Sequence, residues 1–254
     1  MINNISNTIF IGKVFHHFDE LASTNQYAID LLSKNKPSAG TVISTYNQRQ
    51  GRGQIGRFWE SEPEKNISVS IILYPHFLAA NRQFLLSQVI ALAVHDFLAK
   101  YISKDLTVKW PNDIYVKRRK IAGILLQNTL QGTSIASTVV GIGININQAV
   151  FKSDAPNPTS LYLETQQNYD LDALLMLLCQ TVEQRYLQLQ RQDYAGIAKD
   201  YYNYLYQFGV VADYQRADGD LLKGKILGID EIGRLKIETS VGVEIFDLKE
   251  IRFL

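Results

Sequence analysis

Apolar and polar positions along this chain follow two different periods, and the places where the period changes mark its elements. Residues 13–18 form a short apolar segment. Behind it, Ser23-Thr24-Asn25 offers side-chain oxygens for a helix start, with Gln26 where a capping box places an amide. Ala28, Ile29, Leu31 and Leu32 then recur on one helical face. Residues 37–40 predict a turn, and β-branched residues 41–46 a strand. Ile67, Val69 and Ile71 alternate with Ser68, Ser70 and Ile72, the pattern of a half-buried strand. Over residues 82–100, Leu85, Val89, Leu92, Ala93 and Phe97 fall at helical spacing. Strand-like pieces follow at 106–110, 114–117, 121–126 and 138–144. Pro156 and Pro158 make residues 152–160 a mobile surface loop in this reading, and helices are expected over about 170–190 and 194–206. Helices inserted among strands, without strict alternation, predict an α+β fold on a mixed sheet.

After Phe208 the texture changes. Short apolar pieces at 210–214, 222–229, 235–238 and 243–246 are separated by turn signals at Asp218-Gly219, 230–233 and Gly242. Strands so closely spaced, with no helix between them, predict a small β-barrel. The expected division is a domain over 1–207 and a smaller one over 208–254.

Composition narrows the class. The 254 residues are 46% hydrophobic and 20% charged, which suits a soluble globular protein with a substantial core. A formal net charge of +1 gives no general electrostatic footprint for nucleic acid. Residues 1–15 do not read as a secretory signal, and no apolar run approaches the ~20 residues that span a bilayer. A single cysteine, Cys179, excludes an internal disulfide framework and points to a reducing compartment, so a cytoplasmic location is expected. Cys179 lies in an apolar helical run and reads as a core filler. His16, His17, His76 and His95 do not recur at metal-ligand spacing, so no metal site is assigned to the side chains.

Three segments carry candidate chemistry. Residues 47–65 are polar, hold three glycines and are too long for a tight turn. Gly51, Gly53 and Gly56 satisfy G-x-G-x-x-G, but Trp59-Glu60-Ser61-Glu62-Pro63 follows where a dinucleotide-binding unit needs a helix. What survives is a backbone able to approach an anion, the guanidinium groups of Arg52 and Arg57, and Trp59 for stacking; an ordinary surface loop fits the segment equally well. Lys109-Trp110-Pro111-Asn112-Asp113 leads through a basic run, 117–120, into Ile121-Ala122-Gly123. By itself this is a turn and a solvated hairpin tip. Its sharper reading aims Lys120 along a cleft, with Asp113 holding Lys120, a metal-bound water or substrate. Finally, residues 139–147 form an apolar strand with Gly141, Gly143 and a buried-looking Asn145. Such glycines mark either a bulged core strand or close approach of a ligand. No Walker A sequence is present, so nucleotide chemistry would use another cradle.

Together these segments resemble the biotin–protein ligases, in the same order along the chain. Ser23-Thr24-Asn25 is similar to the family's S-T-N, Gly51 to Trp59 to its G-R-G-x-x-G-R-x-W loop, and Lys109 to Asp113 to its K-W-P-N-D. Lys120 to Leu125 matches K-x-x-G-I-L, and Gly141 to Asn145 matches G-x-G-x-N. The likeness is strong over residues 16–147 and looser in the tail, where an SH3-like barrel is implied.

The resemblance implies an enzyme that makes biotinyl-5′-AMP from biotin and ATP with Mg²⁺, and passes biotin to a lysine of a biotin carboxyl carrier protein. It implies that Ser23, Thr24, Asn25, Gln48, Gly51, Arg52, Gly53, Gln54, Lys120 and Gly123 bind biotin. Arg52, Arg57, Trp59, Lys120 and Asn145 would hold the nucleotide, and Lys120, Arg52 and Asp113 make the catalytic set. Gln54 stands where the family's familiar loop has arginine, which removes a charge near the adenylate. No DNA-reading unit is expected ahead of the first helix, so a monofunctional ligase, monomer or homodimer, is expected in place of a biotin-responsive repressor. No nucleic acid or membrane is expected as partner. Lipoate–protein ligases and octanoyl transferases share the implied fold and are the nearest enzymatic alternative; a catalytically idle biotin-binding module is another.

Overall fold

The computed structural model describes residues 7–53, 58–153 and 155–254. Strand β1 (Phe15–Phe18) pairs in parallel with β2 (Thr41–Thr45), and helix α1 (Thr24–Lys34) connects them. Ser23 caps α1 from an extended backbone, its hydroxyl accepting from the Gln26 N–H at 3.4 Å. The expected capping box is only half made, because the Gln26 side chain turns to Asp30 and Arg52. Ala28 is buried with Ile43, Ile72 and Val139, and Ile29, Leu31 and Leu32 pack half-buried around them. The apolar stripe of α1 therefore covers part of one sheet face.

Strand β3 (Asn66–Leu73) corrects one expectation: all eight of its residues are buried, where alternation predicted a half-exposed strand. Helix α1 packs on one of its faces and α4 (Leu171–Gln190) also contacts it, so the Ser/Ile alternation divides two covered faces. Helix α2 (Phe84–Leu98) is shorter than the expected 82–100, since Arg82 belongs to a preceding 3-10 turn. Next come β4 (Leu106–Lys109), β5 (Asp113–Val116), β6 (Arg119–Gln131) and β7 (Ser134–Asn145), with the pairs β4–β5, β5–β6 and β6–β7 all antiparallel. The β6–β7 hairpin runs beyond its apolar stretch because backbone pairing continues under exposed polar side chains. The sheet has seven strands in the order β1-β2-β3-β7-β6-β5-β4. Its core lies under α2, α4 and α5 (Tyr194–Tyr204), and Cys179 is wholly buried there, where burial pushes its thiol pKa up.

Residues 152–160 do not behave throughout as a surface loop. Thr159 and Ser160 are fully buried, and Ser160 caps a short helix, α3 (Leu161–Thr165), that the sequence pattern did not announce. The Lys120 N–H donates to the Asn157 carbonyl at 2.8 Å, and the Thr159 N–H donates to the Lys120 carbonyl at 2.9 Å. The segment therefore clamps the backbone of Lys120.

The last five strands are β8 (Val211–Arg216), β9 (Leu221–Ile229), β10 (Leu235–Thr239), β11 (Gly242–Phe246) and β12 (Ile251–Phe253), an antiparallel sheet ordered β11-β10-β9-β8-β12. In a flat sheet β8 and β11 would stand about 14 Å apart, three strand spacings. Arg216 on β8 nevertheless bonds both oxygens of Glu244 on β11, at 2.8 and 2.6 Å, and lies over Phe246. The sheet therefore curls strongly, as in an SH3-like unit, without a closing ladder among the described residues. Tyr214, Ile226, Leu235 and Ile237 join the main hydrophobic core, and Trp110 Nε1 donates to the Gly233 carbonyl at 2.9 Å across the junction.

Candidate active site

Register places the site. Thr45, Ser68, Gly143, Gly123 and Asp113 form one row across β2, β3, β7, β6 and β5. The next row holds Ile43, Ser70, Gly141 and Leu125. In-register neighbours project to the same face, so glycines at 123, 141 and 143 floor a trough between α1 and the β5–β6 hairpin.

One end of the trough is a neutral hydrogen-bonding cluster at the start of α1. The Thr24 backbone N–H and hydroxyl both donate to Gln48 Oε1, at 2.9 and 3.2 Å. Ser70 Oγ stands 2.8 Å from Thr24 Oγ1 and 2.5 Å from Asn25 Oδ1. Asn25 Nδ2 donates to Gln127 Oε1 at 3.0 Å. Ser23, Thr24, Asn25 and Gln48 are all buried. Gly141 explains why the sequence needs glycine here: a Cβ at that position would collide with the Asn25 carboxamide.

The other end is charged. Lys120 Nζ lies 2.6 Å from Asp113 Oδ1 and 5.6 Å from the centroid of the Trp59 ring. Both partners are partly exposed, so the ion pair fixes direction more than it adds stability. The Trp59 indole rests on the glycine pair. A Cβ at Gly143 would come within 2.5 Å of Trp59 Cε2, and one at Gly123 within 3.1 Å of Trp59 Cζ3 and 3.3 Å of Lys120 Nζ. The Trp59 backbone N–H donates to the Gly51 carbonyl at 2.9 Å, and a Cβ at Gly51 would collide with the Trp59 carbonyl. Three buried polar atoms facing this floor have no partner: Trp59 Nε1, Ser68 Oγ and Asn145 Oδ1. The other half of the Asn145 amide is committed, donating to the Thr159 carbonyl at 2.9 Å.

Thr24, Asn25, Gln48, Gly51, Trp59, Asp113, Lys120, Gly123 and Asn145 thus border one face, while Ser23 is spent on capping α1 beside them. Arg52 sits at its rim, exposed, with Nη1 donating to Gln26 Oε1 at 2.7 Å. Gly53 follows it, while Gln54, Gly56 and Arg57 lie outside the described residues. Within K-W-P-N-D, Asp113 borders the trough, Lys109 and Trp110 face the curled sheet, and Asn112 braces β6. Trp110 bonds Gly233, Asn112 Nδ2 bonds the Ile124 carbonyl, and Lys109 Nζ lies 4.8 Å from the Phe253 ring centroid. Sequence reasoning missed Ser70 and Gln127. Ser70 was visible as one polar position of the β3 alternation, whereas nothing local marks Gln127. Among the described residues no three His, Cys, Asp or Glu gather as a metal cage.

Fold and site define the class: a mixed-sheet domain with a glycine floor lying between an amide–hydroxyl cluster and one ammonium. The chain belongs to the Biotin/lipoate A/B protein ligase family, whose model matches residues 18–145. It is 30% identical over 241 residues to the biotin–[acetyl-CoA-carboxylase] ligase of Paracoccus denitrificans, covering 91% of this chain and 97% of that protein. It is 28% identical over 242 residues to the bifunctional ligase/repressor BirA of Bacillus subtilis, covering 93% of this chain and 73% of that one. The fold matches the biotin protein ligase of Aquifex aeolicus, solved with biotin and ATP, at a TM-score of 0.79 and 24% identity, over 95% of this chain and 100% of the other.

Proposed function

We infer that this protein is an ATP-dependent biotin–protein ligase, which forms biotinyl-5′-AMP and transfers biotin to a lysine of a biotin carboxyl carrier protein. One observation carries the reading. The neutral cluster of Thr24, Asn25, Gln48 and Ser70 and the ammonium of Lys120 border the same glycine floor. The family membership and the names of the relatives agree with it.

The ureido ring of biotin needs donors and acceptors in a fixed array, which the cluster at the start of α1 offers. Its carboxylate then points along the floor to Lys120. In the first half-reaction a carboxylate oxygen attacks the α-phosphorus of ATP and pyrophosphate leaves. Negative charge grows on the α-phosphate oxygens, and the Lys120 ammonium, already oriented by Asp113, stabilises it without reorganising. Arg52 adds a second cation once it leaves Gln26. Trp59 offers its ring to the adenine and Asn145 Oδ1 an acceptor to the exocyclic amine. Gly51, Arg52 and Trp59, which border the floor, help to keep water from the mixed anhydride. In the second half-reaction a neutral lysine amine attacks the acyl carbon and AMP departs.

Mg²⁺ enters this reading with the nucleotide. The described residues supply no cage for it, and the carboxylate nearest Lys120, Asp113, is already engaged. Residues 1–207 form the catalytic unit and 208–254 the SH3-like one, a division supported by the two separate sheets. No helix among the described residues is long and apolar enough to cross a membrane.

The test is mass spectrometry of the protein incubated with biotin, Mg²⁺ and ATP, with lipoate as competitor. The ligase reading expects biotinyl-AMP, undiminished by lipoate. Lipoyl-AMP in its place would transfer the assignment to the lipoate branch.

A further inference from the structure

We propose that Ser68 is a further ligand-binding residue of the trough, its hydroxyl hydrogen-bonding an oxygen of the bound acid–nucleotide. The proposal rests on the ligase reading and adds a contact to it. Ser68 is 3% exposed, yet its Oγ has no partner. Native interiors leave few such groups, and each that persists calls for a reason. Register supplies one. Ser68 pairs with Gly143, so its side chain leaves the sheet on the face that the missing Gly143 Cβ would occupy. The Trp59 indole lies on that face now, and its Nε1 is also without a partner. Two unsatisfied polar atoms therefore share one glycine-floored hollow.

Neighbours sharpen the contrast. Ser70, two residues along the same strand face, is fully engaged with Thr24 and Asn25. Ser68 lies in the row that crosses Gly143 and Gly123 to Asp113, the partner of Lys120. It faces Lys120 across the glycine pair, so a group held by the ammonium would extend over the floor toward the Ser68 hydroxyl. The indole must move off Gly143 for the ligand to arrive. The partner is an oxygen, either on the acid (its carboxyl group) or on the nucleotide (phosphoryl or ribose).

Ser68→Ala decides the matter, with calorimetric titration of biotin alone and of the α,β-methylene analogue of ATP alone, and with thermal unfolding of the ligand-free protein. Removing an unpartnered hydroxyl should raise the Tm of the ligand-free protein, and the same substitution should weaken one ligand roughly fivefold to tenfold. A loss confined to biotin places the oxygen on the acid; a loss confined to the analogue places it on the nucleotide. A purely structural serine would not give higher stability together with weaker binding. Affinities within about twofold of wild type for both ligands would overturn the proposal. If the alanine variant does not fold, Ser68→Cys is titrated in its place, keeping the size and weakening the bond. Wild-type protein that forms no biotinyl-AMP would defeat the ligase reading itself, whatever the variant does.

Discussion

The Asn25 carboxamide lies on the Cα of Gly141, so close that a side chain on Gly141 has nowhere to go. Asn25 belongs to the first turn of α1 and Gly141 to the middle of β7, 116 residues further on. Their contact brings the amide–hydroxyl cluster down onto the sheet. A Gly141→Ala substitution should therefore displace Asn25 from Ser70 and Gln127 and weaken biotin binding at least about tenfold, or roughly 1.4 kcal/mol. Calorimetry on protein with unchanged circular dichroism checks this. A dissociation constant equal to that of wild type would separate the cluster from biotin recognition.

Trp110 has a different task from its neighbour Asp113. Its indole N–H bonds the Gly233 carbonyl and fastens the curled sheet to the β4–β5 end of the larger one. Trp110→Phe leaves that carbonyl without its partner and should cost about 1–2 kcal/mol of stability in urea unfolding. Turnover at saturating biotin and ATP should stay within about threefold of wild type, since the Trp110 side chain bonds the curled sheet and not the trough. A collapse in turnover with unchanged stability would place Trp110 in the chemistry.

Acid should loosen the helix layer through Asp96. Burial alone would push this carboxyl up; the His95 ring and the Arg185 guanidinium more than offset it and hold the group below its ordinary value. His95 Nδ1 stands 3.7 Å away, beyond a good hydrogen bond, while Arg185 Nε and Nη2 approach to 2.6 and 3.2 Å, so Arg185 carries most of the effect. A folded-state value below the unfolded one means stability that is present above the ordinary carboxylate range and lost as pH falls through it. The stability difference between wild type and Asp96→Asn should thus be constant from about pH 5 to 7 and shrink below about pH 4. A difference independent of pH down to 3 would refute the assignment.

Much of this was legible in the sequence, for identifiable reasons. Ser23-Thr24-Asn25 marks a helix start because an N-cap needs short oxygen-bearing side chains. Asp113 could be set beside Lys120 in advance, as one of three roles open to it, because both stand where a strand meets a turn; the ion pair is the role the structure shows. Local periodicity carries no information about contacts such as Gln127 on Asn25, or Asn157 and Thr159 clasping the backbone of Lys120. The Gln26 amide was misassigned for a related reason. The capping box predicts a local bond, and the long-range partner Arg52 competes for the same oxygen. For β3, alternation states which side chains share a face and is silent on whether both faces are covered. Gln54, Gly56 and Arg57, although conspicuous in the sequence, fall outside the described residues.

The central claim is that the Lys120 ammonium stabilises the charge that develops as the acid attacks the α-phosphorus. Biotin-dependent exchange of labelled pyrophosphate into ATP, compared between wild type and Lys120→Ala, measures that step alone. Removal of one preorganised charge stabiliser should slow exchange roughly 10²–10³-fold. Exchange in the variant at close to the wild-type rate would contradict the account.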